Sequence, residues 1–115
     1  MTIQLNNVLV PTNNLESSTQ FFRDLIGLNL QHSGPTFAWF RNEHTNLMLI
    51  LASRDRPVTA ERGIYLEFVT DDLITFRDVL LGAGHTQIRE WEQNNVQFLS
   101  VVEPGGNLIH VIQPA

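Results

Sequence analysis

The sequence predicts an α+β fold: two β-α-β-β-β modules that together form a concave mixed β-sheet. The first observation is a repeated helix pattern. Leu15, Ser18, Phe22 and Leu25 have the same spacing of apolar or small positions as Leu73, Phe76, Leu80 and Ala83, which gives each helix one core-facing stripe. The second is punctuation. A strand-like run and a pair of capping residues precede each helix, and a glycine follows it. The third is the register of the two halves. Leu15 and Leu73 are 58 residues apart, Gly27 and Gly84 are 57 apart, and Asn46 and Asn107 are 61 apart. Offsets that drift by a few residues are those of a duplication whose turns have changed length.

Taken in order, residues 3–11 read as a strand with alternating apolar positions,. Asn13 and Asn14 offer a helix N-cap, because a short amide side chain can accept from the free N–H groups of the first turn. The helix then runs from Leu15, with Phe21 and Ile26 widening its stripe, and Gly27 ends it as a left-handed C′ residue. Three strands follow at roughly 28–33, 36–41 and 46–52. The polar stretch Arg54–Thr59, with Pro57 inside it, reads as the connector,. The second half repeats the plan: a strand at 63–70, caps at Asp71 and Asp72, a helix from Leu73 to Gly84, and strands at roughly 85–91, 96–102 and 107–113. The module boundary falls near residue 57, giving module 1 about 1–57 and module 2 about 58–115 of a single domain.

The most informative stretch is Glu103–Ile112. Pro104, Gly105, Gly106 and Asn107 make a tight turn, since Pro fixes one φ and the others tolerate φ > 0. The strand that follows alternates, with Ile109 and Val111 on one face and Leu108, His110 and Ile112 on the other. One imidazole therefore stands in an otherwise apolar strand. A lone histidine in such a place is ordinarily a satisfied, half-buried residue, so its surroundings must decide its role. Asn46–Leu51 has the same form, and matching Asn46 to Asn107 sets Leu49 opposite His110.

Bulk properties exclude several classes. At 115 residues the chain has the length of one domain, and 43% hydrophobic residues is ordinary for a globular protein,. No apolar run is long enough to span a bilayer. The first residues lack a basic segment followed by an apolar stretch, so no signal peptide is expected. With no cysteine there is neither a disulfide framework nor thiolate chemistry,, and the expected location is the cytoplasm. A net charge of −5 argues against nucleic acid,.

The paired modules, the helix Leu15–Leu28 with its Phe21-Phe22 and Leu25-Ile26-Gly27-Leu28 ending, and the turn Glu103-Pro104-Gly105-Gly106-Asn107-Leu108-Ile109-His110 resemble the vicinal oxygen chelate superfamily. That superfamily contains glyoxalase I, extradiol dioxygenases and the fosfomycin- and bleomycin-resistance proteins. The resemblance covers the whole chain and implies the paired-module fold and, from the length, a homodimer. It also places the family's metal ligands at Asn7, Leu49, Tyr65 and His110. Imidazole and carboxylate are what a divalent metal requires there, and His110 alone qualifies. The expectation is a chain with no metal and no cofactor. A two-residue register change would instead set Glu67, which shares a face with Tyr65, beside His110.

If Val8, Val10, Ile64, Leu66, Phe68, Ile109 and Val111 face the helices, the opposite faces line the concave sheet. Those faces hold Asn7, Leu9, Tyr65, Glu67, Leu108, His110 and Ile112, joined by Phe98 and Ser100 and by Phe37, Trp39 and Arg41, with Trp91 and Glu92 at the rim. Singly, such aromatics are most often core residues. As a set on alternating faces, they read as a small-molecule groove with Asn7, Phe37, Trp39, Tyr65, Glu67, Phe98, Ser100 and His110 as its ligand-binding residues. Aromatic faces with one carboxylate suit a flat or cationic organic molecule. The expected function is thus a metal-independent small-molecule binder. The alternative is a lyase, isomerase or dioxygenase-like enzyme with His110 and Glu67 as its catalytic candidates, working as a general acid–base pair or with a weakly held metal.

Overall fold

The computed structural model describes residues 1–60 and 65–115 and divides into two compact units, Met1–Val58 and Thr59–Ala115. The expected helix-facing Ile64 lies outside the described residues.

In the first unit, β1 (Val8–Thr12) leads to α1 (Leu15–Gln20), which continues as a π-helical turn over Phe21–Ile26. Then come β2 (Leu30–Ser33), β3 (Phe37–Arg41) and β4 (Asn46–Leu51). The sheet order is β1-β4-β3-β2, with β1 parallel to β4 and the rest antiparallel. The cap of α1 is Asn14, whose side chain accepts from the Ser17 N–H at 3.1 Å. The helix runs as predicted to Gly27, but its second half widens. That wider turn carries two adjacent rings, Phe21 and Phe22, both buried and meeting edge-on at 5.7 Å. Gly27, at φ +89°, closes it, and the N–H groups of Gly27 and Leu28 both reach the Phe22 carbonyl, as a left-handed C-cap requires.

The core of this unit lies between that helix and one sheet face: Val10, Phe22, Ala38, Phe40, Leu47 and Leu49 are all buried. Two buried hydroxyls sit beside it. Thr12 and Ser18 share a 2.5 Å hydrogen bond, and the Thr12 hydroxyl also donates to the Asn14 carbonyl, so the Thr12 hydroxyl has partners on both sides.

In the second unit, β5 (Leu66–Val69), α2 (Leu73–Gly82), β6 (Ile88–Gln93), β7 (Val96–Val102) and β8 (Leu108–Gln113) repeat the plan in the order β5-β8-β7-β6, with β5 parallel to β8. Asp72 caps α2 by accepting from the Thr75 N–H at 3.1 Å and the Thr75 hydroxyl at 2.7 Å. Leu73 and Leu80 of α2, with Leu99, Val101, Ile109 and Val111 of the sheet, form its core. Each such side chain contributes about 1.5–3 kcal/mol by leaving water. The two units are therefore mixed four-stranded sheets, each with one helix-covered face, an α+β architecture.

Three boundaries differ from expectation. The first strand begins at Val8 rather than residue 3. Ile3 and Leu5 alternate as a strand should but are exposed, because the neighbouring strand β4 begins only at Asn46, the residue before the partner of Val8. The strand expected at 28–33 begins at Leu30, since Gly27 and Leu28 are spent closing the helix. The strand expected at 85–91 runs instead from Ile88 to Gln93. Its far end is a two-residue turn with both Asn94 (φ 54°) and Asn95 (φ 64°) left-handed, the backbone of a type I′ hairpin.

Candidate functional site

Register partners share a sheet face, so the strand pairings fix which side chains meet. In the second unit, Glu67 of β5 pairs with His110 of β8, His110 pairs with Ser100 of β7, and Ser100 pairs with Arg89 of β6. The parallel row is Val69, Ile112, Phe98 and Trp91. Both rows lie on the face away from α2, because the intervening Leu99, Ile109 and Val111 are the buried core.

The rings on this face form a ladder. Tyr65 stacks on the His110 imidazole with centroids 5.2 Å apart and planes 8° from parallel. Trp91 meets the same imidazole edge-on at 5.7 Å and 81°. Trp91 in turn stacks flat on Phe98 at 5.2 Å. Offset stacks and edge contacts are the favoured arrangements of aromatic rings. Yet the ladder is open: Tyr65 is 50% exposed and Trp91 37%. Tyr65, Glu67, Phe98, Ser100 and His110, expected to share a face, are brought together here.

The turn that delivers His110 has a built interior. Glu103, 1% exposed, folds its carboxylate under the turn it begins. It accepts from the Gly105 N–H at 2.8 Å, the Asn107 N–H at 3.1 Å and the Asn107 amide at 2.9 Å. A carboxylate bound to several donors is a strong staple, and it sets where β8 begins.

The first unit holds the other expected residues. Trp39 pairs with Met48, which pairs with Leu9, and the Trp39 indole donates to Asn46 Oδ1 at 2.6 Å. The Asn46 amide donates to the Asn6 carbonyl. The Asn7 Oδ1 is buried without a hydrogen-bond partner among the described residues. Phe37 is half-buried at the strand end, where its ring lies against Gly34 so closely that a Cβ there would come within 2.6 Å of it. It also borders a cavity of about 450 Å³ against α1, shared with Leu15, Gln20 and Arg23.

One expected correspondence is corrected. Leu49 does not stand where His110 does. It is fully buried on the helix side, paired with Val10 and Ala38, and Met48 occupies the open-face position. A one-residue slip carries a side chain to the other face of a strand. A second correction concerns Trp91, expected at a strand rim: it stands inside β6, opposite Phe98. Sequence reasoning left Trp91 at the rim, outside the ligand-binding set, and omitted Arg89 and Met48. The Asn94-Asn95 turn was the available signal, since it forces Gln93 onto Val96 and hence Trp91 onto Phe98.

Neither unit by itself has the donors of a divalent metal: the first offers an amide (Asn7) and a thioether (Met48), the second a phenol (Tyr65) and an imidazole (His110), and even with Glu67 beside His110 only two strong ligands meet in one unit,. Among the described residues no three His, Cys, Asp or Glu side chains are grouped to hold an ion. Likewise no helix among them is long and apolar enough to cross a membrane.

Residues 4–111 match the family model described as Glyoxalase/Bleomycin resistance protein/Dioxygenase superfamily. Comparison with curated protein sequences gave no match. Among solved structures, the chain is similar to a lactoylglutathione lyase from Agrobacterium tumefaciens, with TM-score 0.76, 16% identity, and 98% of this chain and 95% of that one covered. It is also similar to a bleomycin-binding protein complexed with bleomycin, with TM-score 0.73, 17% identity and 99% and 100% coverage. A glyoxalase/bleomycin resistance protein from Albidiferax ferrireducens T118 aligns at TM-score 0.73 and 18% identity, covering 96% and 98%.

Proposed function

This chain belongs to the Glyoxalase/Bleomycin resistance protein/Dioxygenase superfamily, and from that premise we propose that it binds a small aromatic or cationic organic molecule without a metal. The binding surface is the open face of the second unit, with Tyr65, Glu67, Trp91, Phe98, Ser100 and His110 as its residues. The observation that carries this reading is the ladder of Tyr65, His110, Trp91 and Phe98, with Tyr65 and Trp91 exposed. Flat π faces supply affinity to a flat ligand, a nearby carboxylate adds attraction for a cation, and isolated polar groups fix orientation.

Indole fluorescence tests it. In a Trp39→Phe protein, Trp91 is the sole indole, and bleomycin, which one solved relative holds, is the first probe of a panel of flat cations. Saturable quenching that disappears in His110→Ala, from protein that elemental analysis finds free of transition metal, supports the reading. A stoichiometric metal lost with His110→Ala overturns it.

The enzyme reading has one observation in its favour: Glu67 and His110 are register neighbours, and a carboxylate beside an imidazole is a general acid–base pair. It requires turnover with a bell-shaped pH profile that Glu67→Gln abolishes. The binding reading also carries a cytoplasmic homodimer. Leu9 and Val69, 61% and 68% exposed, are apolar side chains that a second copy would cover, and sedimentation at micromolar concentration tests that.

A further inference from the structure

The open face of the second unit has one charge at each of its two edges. Glu67 is on β5, one edge strand, and Arg89 is on β6, the other. They lie in one row with His110 and Ser100 between them. Three strand spacings put their backbones about 14 Å apart, too far for the two charges to neutralise each other. Neither takes part in an ion pair among the described residues. The arginines elsewhere that flank the helices differ: Arg23 is paired with Asp24 at 2.8 Å, and Arg77 lies 3.5 Å from Asp78 and 3.6 Å from Glu90. Glu90 alternates with Arg89 and so belongs to the helix side, which leaves the Arg89 guanidinium to the ladder side with Trp91.

From this arrangement we propose that the face selects a bipolar ligand: a flat, elongated aromatic molecule with a cationic group at one end and a carboxylate or similar anion at the other. The aromatic body lies on Trp91, Phe98 and His110. The cation sits at Glu67 and the anion at Arg89, where the planar guanidinium fork matches a carboxylate. This inference rests on the aromatic-binding reading and adds its polarity and its length. A ligand with one charge satisfies one edge only and leaves the other charge against an apolar ring system.

Three biphenyl probes test it on the Trp39→Phe protein by indole quenching. One carries an aminomethyl group at one end and a carboxylate at the other, and the remaining two carry one of those groups each. The bipolar probe is expected to bind about three- to fivefold tighter than either single-charge probe at low salt, the contribution of the one further edge it satisfies, and the advantage shrinks in high salt. Glu67→Gln should weaken the bipolar and cationic probes and spare the anionic one. Arg89→Gln should weaken the bipolar and anionic probes and spare the cationic one. If all three probes bind alike and neither substitution discriminates, while calorimetry shows that Trp91→Ala abolishes their binding, the polarity is wrong and the aromatic surface stands. If no probe binds at millimolar concentration, both readings fail together.

Discussion

Tyr65 and His110 lie with their rings 8° from parallel and 5.2 Å apart, yet the strand pairing sets Glu67, not Tyr65, across from His110. The imidazole therefore has a ring on its face and a carboxylate at its side, supplied by two residues of the same alternating face. A strand of period 2 delivers both.

That geometry makes a spectroscopic prediction. A ring stacked on an imidazole shields its carbon-bound protons, so Tyr65→Ala should shift the His110 proton resonances downfield while Tyr65→Phe leaves them nearly in place. The stability cost of Tyr65→Ala should be small, about 1 kcal/mol or less, because the ring is half-exposed,. A shift that is the same in both variants would mean that the stack does not persist in solution.

The placement of Met48 and Leu49 on opposite faces predicts a contrast in stability. Leu49→Ala empties a fully buried site and should cost about 3 kcal/mol in urea denaturation,. Met48→Ala, at a half-buried open-face position, should cost about 1 kcal/mol or less. A larger loss for Met48→Ala than for Leu49→Ala would put the strand in the other register.

Much of this fold was legible in the sequence for physical reasons. Ser18 and Phe22, and Leu73 and Leu80, are buried because helical period and core face coincide, and Asn14, Gly27 and Asp72 punctuate because their side chains, or the lack of one, meet the free groups of a helix end. What failed was parity. Asn46 opens β4 whereas Asn107 precedes β8, so matching the two asparagines moved Leu49 to the wrong face, a shift that hydrophobicity cannot reveal when Leu47, Met48, Leu49 and Ile50 are all apolar. Trp91 was misplaced for a related reason: Asn94-Asn95 lacks the glycine that usually marks a tight hairpin, so the register it imposes on Trp91 and Phe98 went unread.

The buried carboxylate of Glu103 should be a strong point of the second unit. Glu103→Ala leaves the Gly105 and Asn107 donors without their acceptor and should cost about 3 kcal/mol. Glu103→Gln keeps one oxygen acceptor and should lose roughly half of that. Urea midpoints give both values. Because β8 follows directly from this turn, ligand affinity at His110 should fall further in Glu103→Ala than in Glu103→Gln.

Acid should act on the cap of α2. The Thr75 hydroxyl and N–H, both donating to Asp72, hold its carboxyl below the usual range, since they favour the charged form,. A carboxyl held lower in the folded than in the unfolded chain adds stability at pH values above its unfolded value of about 4. That stability is lost as the pH falls through the unfolded and then the folded value. Asp72→Asn retains an oxygen that can accept from Thr75, so it keeps the cap but cannot titrate. Urea midpoints measured from pH 6 down to about pH 3 should therefore fall more steeply for the wild-type chain than for Asp72→Asn, with the two curves drawing together at the acid end. Parallel curves would mean that the Asp72–Thr75 bonds are no stronger with the carboxylate than with a neutral amide.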